Sequence, residues 1–513
     1  MRMSTECRGR RRPFRLVFLL LAAGAAPAPA VWSSDPANNL VVADGASEQV
    51  QAKIVARADG GCYVSWFDNA DGGYDVRLQR LSATGEELWP HNGILVADRG
   101  YSSTVDYGLA VDGDGNALVA FNDDSQPTER IVVAKLAPDG TPLWGTPGLA
   151  VSDSSAFLAS PKVAATGDGD VVVAWFQDPD TVLQRLDANG AEQWAHGGVA
   201  LAHSGDTFVV ADLHAADTAN VVVSWVRYVT FLGDKHIWAQ KLDADAVPLW
   251  GAGHVRVFDL AGGSLQFGNF PGFMPDGTGG AVFAWYTSTP SLQVRAQRIA
   301  ANGAEVFAHD GVELSTDASR LRVDPSVAFD SANADLYAFW VEEDQFQNSN
   351  GLWGQRLDAT GTRMWTPSGR QLVPLGGTGI SQVRTLLAPG GAMVAWAETL
   401  GFDDQPIRAA RLDAAGAYVW DPAFVDLKTS PTGTLRLAAA TSTDGFGIFA
   451  WSDTEVAWDL KAQNLNLDGT LGVPSLFADG FESGDTSAWT ATVPRALEDS
   501  PTAWRSARDT RET

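Results

Sequence analysis

The chain has 513 residues, with 36 Lys plus Arg against 62 Asp plus Glu, a formal net charge of −26, and 45% apolar residues. Such an acidic surface repels nucleic acid and anionic lipid and favours solubility or cation binding, and this apolar content excludes wholesale disorder. Nineteen Trp and 52 Gly against two Cys and five Met point to a β-rich, turn-rich protein.

The N-terminus opens with Arg2, Arg8, Arg10, Arg11, Arg12 and Arg15, then an apolar run from Leu16 to Ala26, then Ala28-Pro29-Ala30. A basic stretch, a short apolar stretch and small residues two apart predict a secretory signal peptide over residues 1–30, cleaved near Ala30. Its apolar run is too short to span a bilayer, and no later stretch is a membrane-anchor candidate. Cys7 leaves with the signal, so Cys62 is the one thiol of the mature chain and no intramolecular disulfide can form. The mature protein is therefore expected to stand on its core, or on bound ions.

From residue 31 onward one unit recurs. A strand ending in an aromatic appears as YVSW (Trp66), LVAF (Phe121), VVAW (Trp175), VVSW (Trp225), VFAW (Trp285), YAFW (Trp340), MVAW (Trp396) and IFAW (Trp451), at spacings of 55, 54, 50, 60, 55, 56 and 55 residues. Each aromatic is followed by a second strand and turn, such as LQRLSATG from Leu78 or AQNLNLDG from Ala462. Alternation with period two marks these as strands, and the terminal Asp/Asn and Gly supply a tight turn. A third element brings another aromatic (Trp89, Trp144, Trp194, Trp250, Phe307, Trp365, Trp420) and a short apolar strand, and a further apolar stretch precedes each VxW strand. Four short antiparallel strands per unit over eight units predict an all-β fold, an eight-bladed β-propeller across residues 31–473.

The eighth unit lacks its last aromatic and strand, while the mature N-terminus begins with Val31-Trp32 and runs through Leu40-Val41-Val42-Ala43. Residues 31–44 are therefore expected to close the ring by completing the last blade, leaving no open sheet edge. After Gly472 the period stops. Residues 474–513 form a separate C-terminal segment that includes DGFESGDTSAW (Asp479–Trp489) and ends in a polar run, expected to be disordered.

The order VAW, QRLD, GxxxW across about 440 residues resembles the repeats of large secreted bacterial propeller proteins of unassigned function, and DGFESGDTSAW resembles a C-terminal segment of many secreted bacterial proteins. The resemblance implies a fold rather than an activity. The W-turns also resemble the tryptophan motif of eight-bladed quinoprotein dehydrogenases. They are one residue shorter between Asp and Gly, and a single mature Cys cannot supply that family's Cys pair.

No catalytic constellation can be assigned, and no organic cofactor is expected. His91, His196 and His309 fall two residues after Trp89, Trp194 and Phe307, so they are expected in equivalent turns of separate blades with a structural use. Asp112, Asp114 and Asn116 place oxygen ligands at alternate positions, as in the first half of a calcium loop, although Asp-Gly between apolar strands is also the ordinary hairpin turn. The loops between the second and third strands of each blade share one face of a propeller, and ligands meet loops on rigid scaffolds. Their acids are the candidate ligand-binding set: Asp68, Asp71, Asp75, Asp123, Asp124, Asp178, Asp180, Glu342, Glu343, Asp344, Asp403 and Asp404. Ca²⁺ is the metal that would bridge this face to an anionic glycan. The expected protein is a monomeric, exported, non-catalytic binding or scaffold module, secreted or held at the cell surface or in the periplasm, with a glycan or protein partner. The alternative is a secreted polysaccharide hydrolase or lyase using carboxylates of the loop face.

Overall fold

The computed structural model describes residues 31–473 apart from 101–105, 126, 267, 402 and 456. The expected signal peptide and C-terminal segment lie outside the described residues. Within them the chain folds into eight antiparallel sheets arranged as a ring, without a helix long and apolar enough to cross a membrane.

Blade one shows the plan, with an inner strand Gln49–Ala56, a second strand Cys62–Asp68, a third strand Asp75–Leu81 and an outer strand Ile94–Ala97. The second strands read as unbroken apolar runs because each is covered on both faces by the flanking blades. Trp66, Phe121, Trp175, Trp225, Trp285, Trp340, Trp396 and Trp451 are all at most 2% exposed. Inner strands of consecutive blades touch one another around a central channel. Cys62 is a buried free thiol in the core beneath Trp66.

The repeat motif is explained by contacts between blades. Six W-turn tryptophans, Trp89, Trp144, Trp194, Trp250, Trp365 and Trp420, donate the indole N–H to a turn carbonyl of the next blade at 2.7–3.4 Å. A turn glycine lies against five of these indoles, and at Trp194 the receiving turn carries Ala246 in the left-handed position instead. At Gly303 (φ +83°) an added Cβ would stand 2.8 Å from the Trp250 ring, so both the left-handed backbone and the contact demand glycine. The buried Gln of each QRL holds the W-turn down: Gln240 donates to Gly251 O at 2.8 Å and accepts from Trp250 N at 2.9 Å. The following Arg or Lys neutralises the acidic turn between the inner and second strands, as in Arg80–Asp59 (3.0 Å) and Arg298–Asp276 (2.9 Å).

The N-terminus reproduces this pattern. Leu40–Ala43 pairs antiparallel with the third strand of blade eight, Asp459–Leu465. Trp32 donates to Ala83 O of blade one at 2.9 Å, and Gln463 donates to Ser33 O at 2.7 Å, as the QRL glutamines do elsewhere. The ring closes by the N-terminal strand, as the truncated eighth unit implied.

Two departures from the repeat position the site. Inner strands carry a bulge midway, with the register breaking at Val50/Lys53, Ala159/Lys162, Val210/Asp212, Val323/Ser326, Ser381/Arg384 and Leu435/Ala438. In blade five the inner strand is split into Ser264–Leu265 and Gly272–Pro275, which pair with opposite ends of Ala281–Thr289. The described residues between the two pieces leave the ladder.

Candidate functional site

The acids of the loop face fall into two groups. Asp68, Asp123 and Glu342 are buried in ion pairs with Arg77 (3.0 Å), Arg130 (2.6 Å) and Arg322 (3.0 Å). Glu342 also accepts the indole N–H of Trp340 at 2.7 Å, and burial raises its pKa against the pull of Arg322. Asp75 is buried, accepts the backbone N–H of Arg99 at 2.8 Å, and is likewise raised by burial. Glu343 accepts from the Gln347 amide at 2.9 Å, and Asp344 closes a turn by accepting from Phe346 N at 2.7 Å. Asp71, Asp178 and Asp403 are exposed, and Asp124, Asp180 and Asp404 are half-buried. Burial, then the neighbouring Asp178, raises the pKa of Asp180.

At the proposed calcium turn, Asp112 Oδ2 faces the Lys135 ammonium at 3.0 Å and the Asn116 amide at 2.9 Å, while Oδ1 accepts from Asp114 N and Asn116 N. Among the described residues, the group whose ligand atoms all lie within 4.8 Å of one another is instead Asp259, His309 and Asp310. His309 there bridges Glu305 (2.9 Å) of its own turn and Asp259 (3.0 Å) of the preceding blade. His91 and His196 make the same bridge, to Glu87 and Asp44 and to Glu192 and Asp153. The three occupy equivalent turns of separate blades, as their register implied.

The other concentration of polar side chains is the central channel, built from the bulged inner strands. Bulges re-aim side chains, and here they fill the channel with charge. Along blades one to four, Lys53, Asp106, Lys162 and Asp212 alternate in sign. Asp106 lies 2.7 Å from the Lys53 ammonium and is also hydrogen bonded to Lys162. Burial works against the charge of Asp106, but the two ammonium groups outweigh it and hold the carboxyl far below its usual range. Burial dominates at Asp212 and raises its pKa.

The opposite wall is different. Asp324, Gln382, Arg384 and Arg436 from blades six to eight meet Asn269, Phe270 and Tyr286 of blade five in a cavity of roughly 440 Å³ at the channel mouth. The split inner strand of blade five is what brings Asn269 and Phe270 there. Asn269 donates its amide to the Tyr286 hydroxyl at 2.5 Å. Burial, then Asp324 and Glu343, pushes the Tyr286 phenol up to about 12, so it stays protonated at neutral pH. A side pocket between blades one and eight extends the mouth to Tyr74 and Trp458 and shares Gln382 and Arg436 with it. The mouth opens where inner strands begin and second strands end, which is the face of the candidate loops.

These channel residues are not among the candidates named from the sequence. A usable signal was present: Lys53, Lys162 and Asp212 each stand thirteen residues ahead of the second-strand Trp, inside otherwise apolar stretches. Blade five announces itself only through the 60-residue interval between Trp225 and Trp285.

No family model matches the chain, and no curated protein matches it. Among solved structures it is similar to an ulvan lyase, a polysaccharide lyase bound to a glucuronate-containing ligand (TM-score 0.45, 12% identity, 76% of this chain and 97% of that one). A second polysaccharide lyase is similar at TM-score 0.43 and 10% identity, over 87% of this chain and 94% of that one. Prolyl oligopeptidase B from Galerina marginata is similar at TM-score 0.43 and 10% identity, over 80% of this chain and 56% of that one. Ligand and chemistry therefore rest on this chain's own residues.

Proposed function

We propose that this protein is an exported binding module that captures a glycan in the mouth of its propeller channel. The observation that carries the reading is the break in the inner strand of blade five. It sets Asn269 and Phe270 over a cavity shared with Tyr286 and Gln382, at the point where the repeat is otherwise most regular. A saccharide needs fixed hydroxyl and amide partners for its rim and an apolar face for its C–H groups. The mouth supplies both, with Phe270 47% and Trp458 38% exposed. The exposed acids Asp71, Asp178 and Asp403, with half-buried Asp344, lie on loops of the same face and are the proposed rim contacts, with Ca²⁺ as the metal they would recruit.

A glycan-array screen of the purified protein, run in calcium and repeated in EDTA, tests the reading. Binding to one glycan class that is lost in the Asn269→Ala, Phe270→Ala double variant supports it, and binding that ignores this variant removes the mouth as the site. Loss in EDTA assigns the metal to the rim. The enzymatic alternative draws on one observation: Asp324, its carboxyl pKa raised by burial, shares the cavity with Arg384 and Tyr286. Accumulation of cleaved product from the bound glycan, abolished by Asp324→Asn, would favour a hydrolase or lyase.

A further inference from the structure

We infer that the channel mouth recognises an anionic group, a carboxylate or a sulfate ester carried on a saccharide, through Arg384 and Arg436. The inference rests on the reading of the mouth as a glycan site and names the chemistry of its ligand.

The chain as a whole carries a net charge of −26, and most of its described arginines elsewhere are matched to acids or carbonyls, among them Arg185 to Asp168 and Asp170, Arg322 to Glu342 and Arg356 to Asp335. Arg436 makes no hydrogen bond or ion pair with any described residue. Arg384 makes one hydrogen bond, donating to the carbonyl of its own neighbour Val383 at 2.7 Å. Asp324 acts on Arg384 electrostatically, but no ion pair joins them. Burial, with the adjacent Arg436, pushes the Arg384 guanidinium down to about 10 despite Asp324. Arg384, half-buried beside the like charge of exposed Arg436, is held in a position that an anion bound between the two would favour.

The backbone argues that Arg436 is not there for the fold. It sits in the left-handed region at φ +54°, as do Gln51 (+61°), Ser160 (+52°), Asp324 (+50°) and Gln382 (+56°) at the bulges of four other blades. Four kinds of side chain occupy one bulge geometry over five blades, so the bulge does not require arginine. A bulky side chain in this region carries a conformational penalty that glycine would remove, and such strain gathers at functional sites.

The charge is also confined to one wall. Lys53, Asp106, Lys162 and Asp212 alternate and hold one another, so the facing half of the channel offers no free cation pair. Positive potential is left beside Tyr286, Asn269 and Phe270, where a sugar ring would lie. Guanidinium forks match the two oxygens of a carboxylate or sulfate, and the neighbouring amide and phenol can serve the ring hydroxyls.

Isothermal titration of the full chain with tetragalacturonate, its methyl ester and a sulfated cellotetraose tests the inference. The expected result is binding of one or both charged probes, at least about tenfold weaker binding of the ester, and a loss of about tenfold or more in the charged-probe affinity for each of Arg384→Gln and Arg436→Gln. Preference for the acid over the sulfated probe, or the reverse, identifies the source of the charge. Arg436→Lys keeps the charge without the fork and should recover part of the loss. Equal affinity for acid and ester, with both glutamine variants unchanged, overturns the anion assignment while leaving the mouth as a glycan site. A neutral glycan found on the array in preference to any charged one overturns it as well. Absence of all glycan binding brings down both readings. Arg436 is exposed, so its variants should fold, and unchanged circular dichroism checks this.

Discussion

Replacing Trp32 by alanine should open the ring. Trp32 is 2% exposed, packs in the cluster that joins blade eight to blade one, and donates its indole N–H to Ala83 O at 2.9 Å. Emptying a buried Trp site costs about 3–5 kcal/mol. The strand it anchors is short. Leu40–Ala43 meets blade eight at three register positions, with a break between Val41 and Ala43. A loss of this size therefore rivals what the ladder itself contributes, and the strand should detach.

Detachment exposes the third strand of blade eight as a free edge, which invites association between chains. Urea denaturation should show an unfolding free energy lowered by about that amount, read as a lower midpoint at unchanged slope, and light scattering should show aggregation below the transition. Two variants separate the terms. Trp32→Phe should cost only the hydrogen bond, about 0.5–1.5 kcal/mol, because Phe307 already fills the equivalent slot against Gly361. Trp250→Ala, at a junction in mid-chain, should lose similar packing without aggregating, since its strands stay tethered on both sides. If Trp32→Ala and Trp250→Ala scatter alike, or if Trp32→Ala leaves the midpoint unchanged, closure does not depend on the N-terminal segment.

The three histidine bridges predict a pH dependence. Their carboxylate partners raise the pKa of each (at His91 against an opposing burial effect), so the stability they contribute is complete below about 6.5 and is lost as pH rises through the folded-state values. Melting curves at pH 6 and pH 8.5 should differ more in the native chain than in a His91→Gln, His196→Gln, His309→Gln variant, and equal differences would show the bridges contribute nothing. Glu342→Ala should destabilise by about 3–5 kcal/mol, because it strands Arg322, itself 1% exposed, whereas Asp71→Ala on an exposed loop should stay within about 0.5 kcal/mol; chemical denaturation distinguishes the two. Arg436→Gly should raise stability by about 1 kcal/mol by relieving the left-handed backbone and the repulsion of Arg384, while abolishing charged-probe binding; a lowered midpoint would mean Arg436 serves the fold.

The architecture was legible because the interactions that build it repeat. An apolar VxW run, a Gln at one register position, a turn glycine and a Trp each answer to a contact made at most of the blade junctions, so periodicity reveals them without coordinates. The truncated eighth unit and the orphan Trp32 were readable for the same reason. The site was not. Glu342 reads as a loop acid, but its partner Arg322 stands directly opposite it on the inner strand, a pairing that exists only once the register is set. Arg384 and Arg436 read as stray charges in strands, and the bulges that bring them to the channel depend on backbone conformation. The split in blade five leaves only a lengthened interval behind.

That division has a physical cause which also bears on function. The W-turn, the Gln and the turn glycine stitch the outer part of each blade to its neighbour, and a change in any one of them breaks a contact on which ring geometry depends. Inner strands carry fewer such obligations. One bulge geometry accepts Gln, Ser, Asp or Arg, and blade five dispenses with a continuous inner strand while keeping Val282, Phe283 and Ala284 fully buried. Variation is therefore tolerated where eight strands converge, and side chains that differ from blade to blade are brought into one cavity. A chain with a strongly acidic exterior can in this way hold two neighbouring arginines at its axis. The four ions of blades one to four alternate in sign in that space, whereas the two arginines of blades seven and eight share the single carboxylate of Asp324 without an ion pair, which is the imbalance that the proposed anionic ligand would complete.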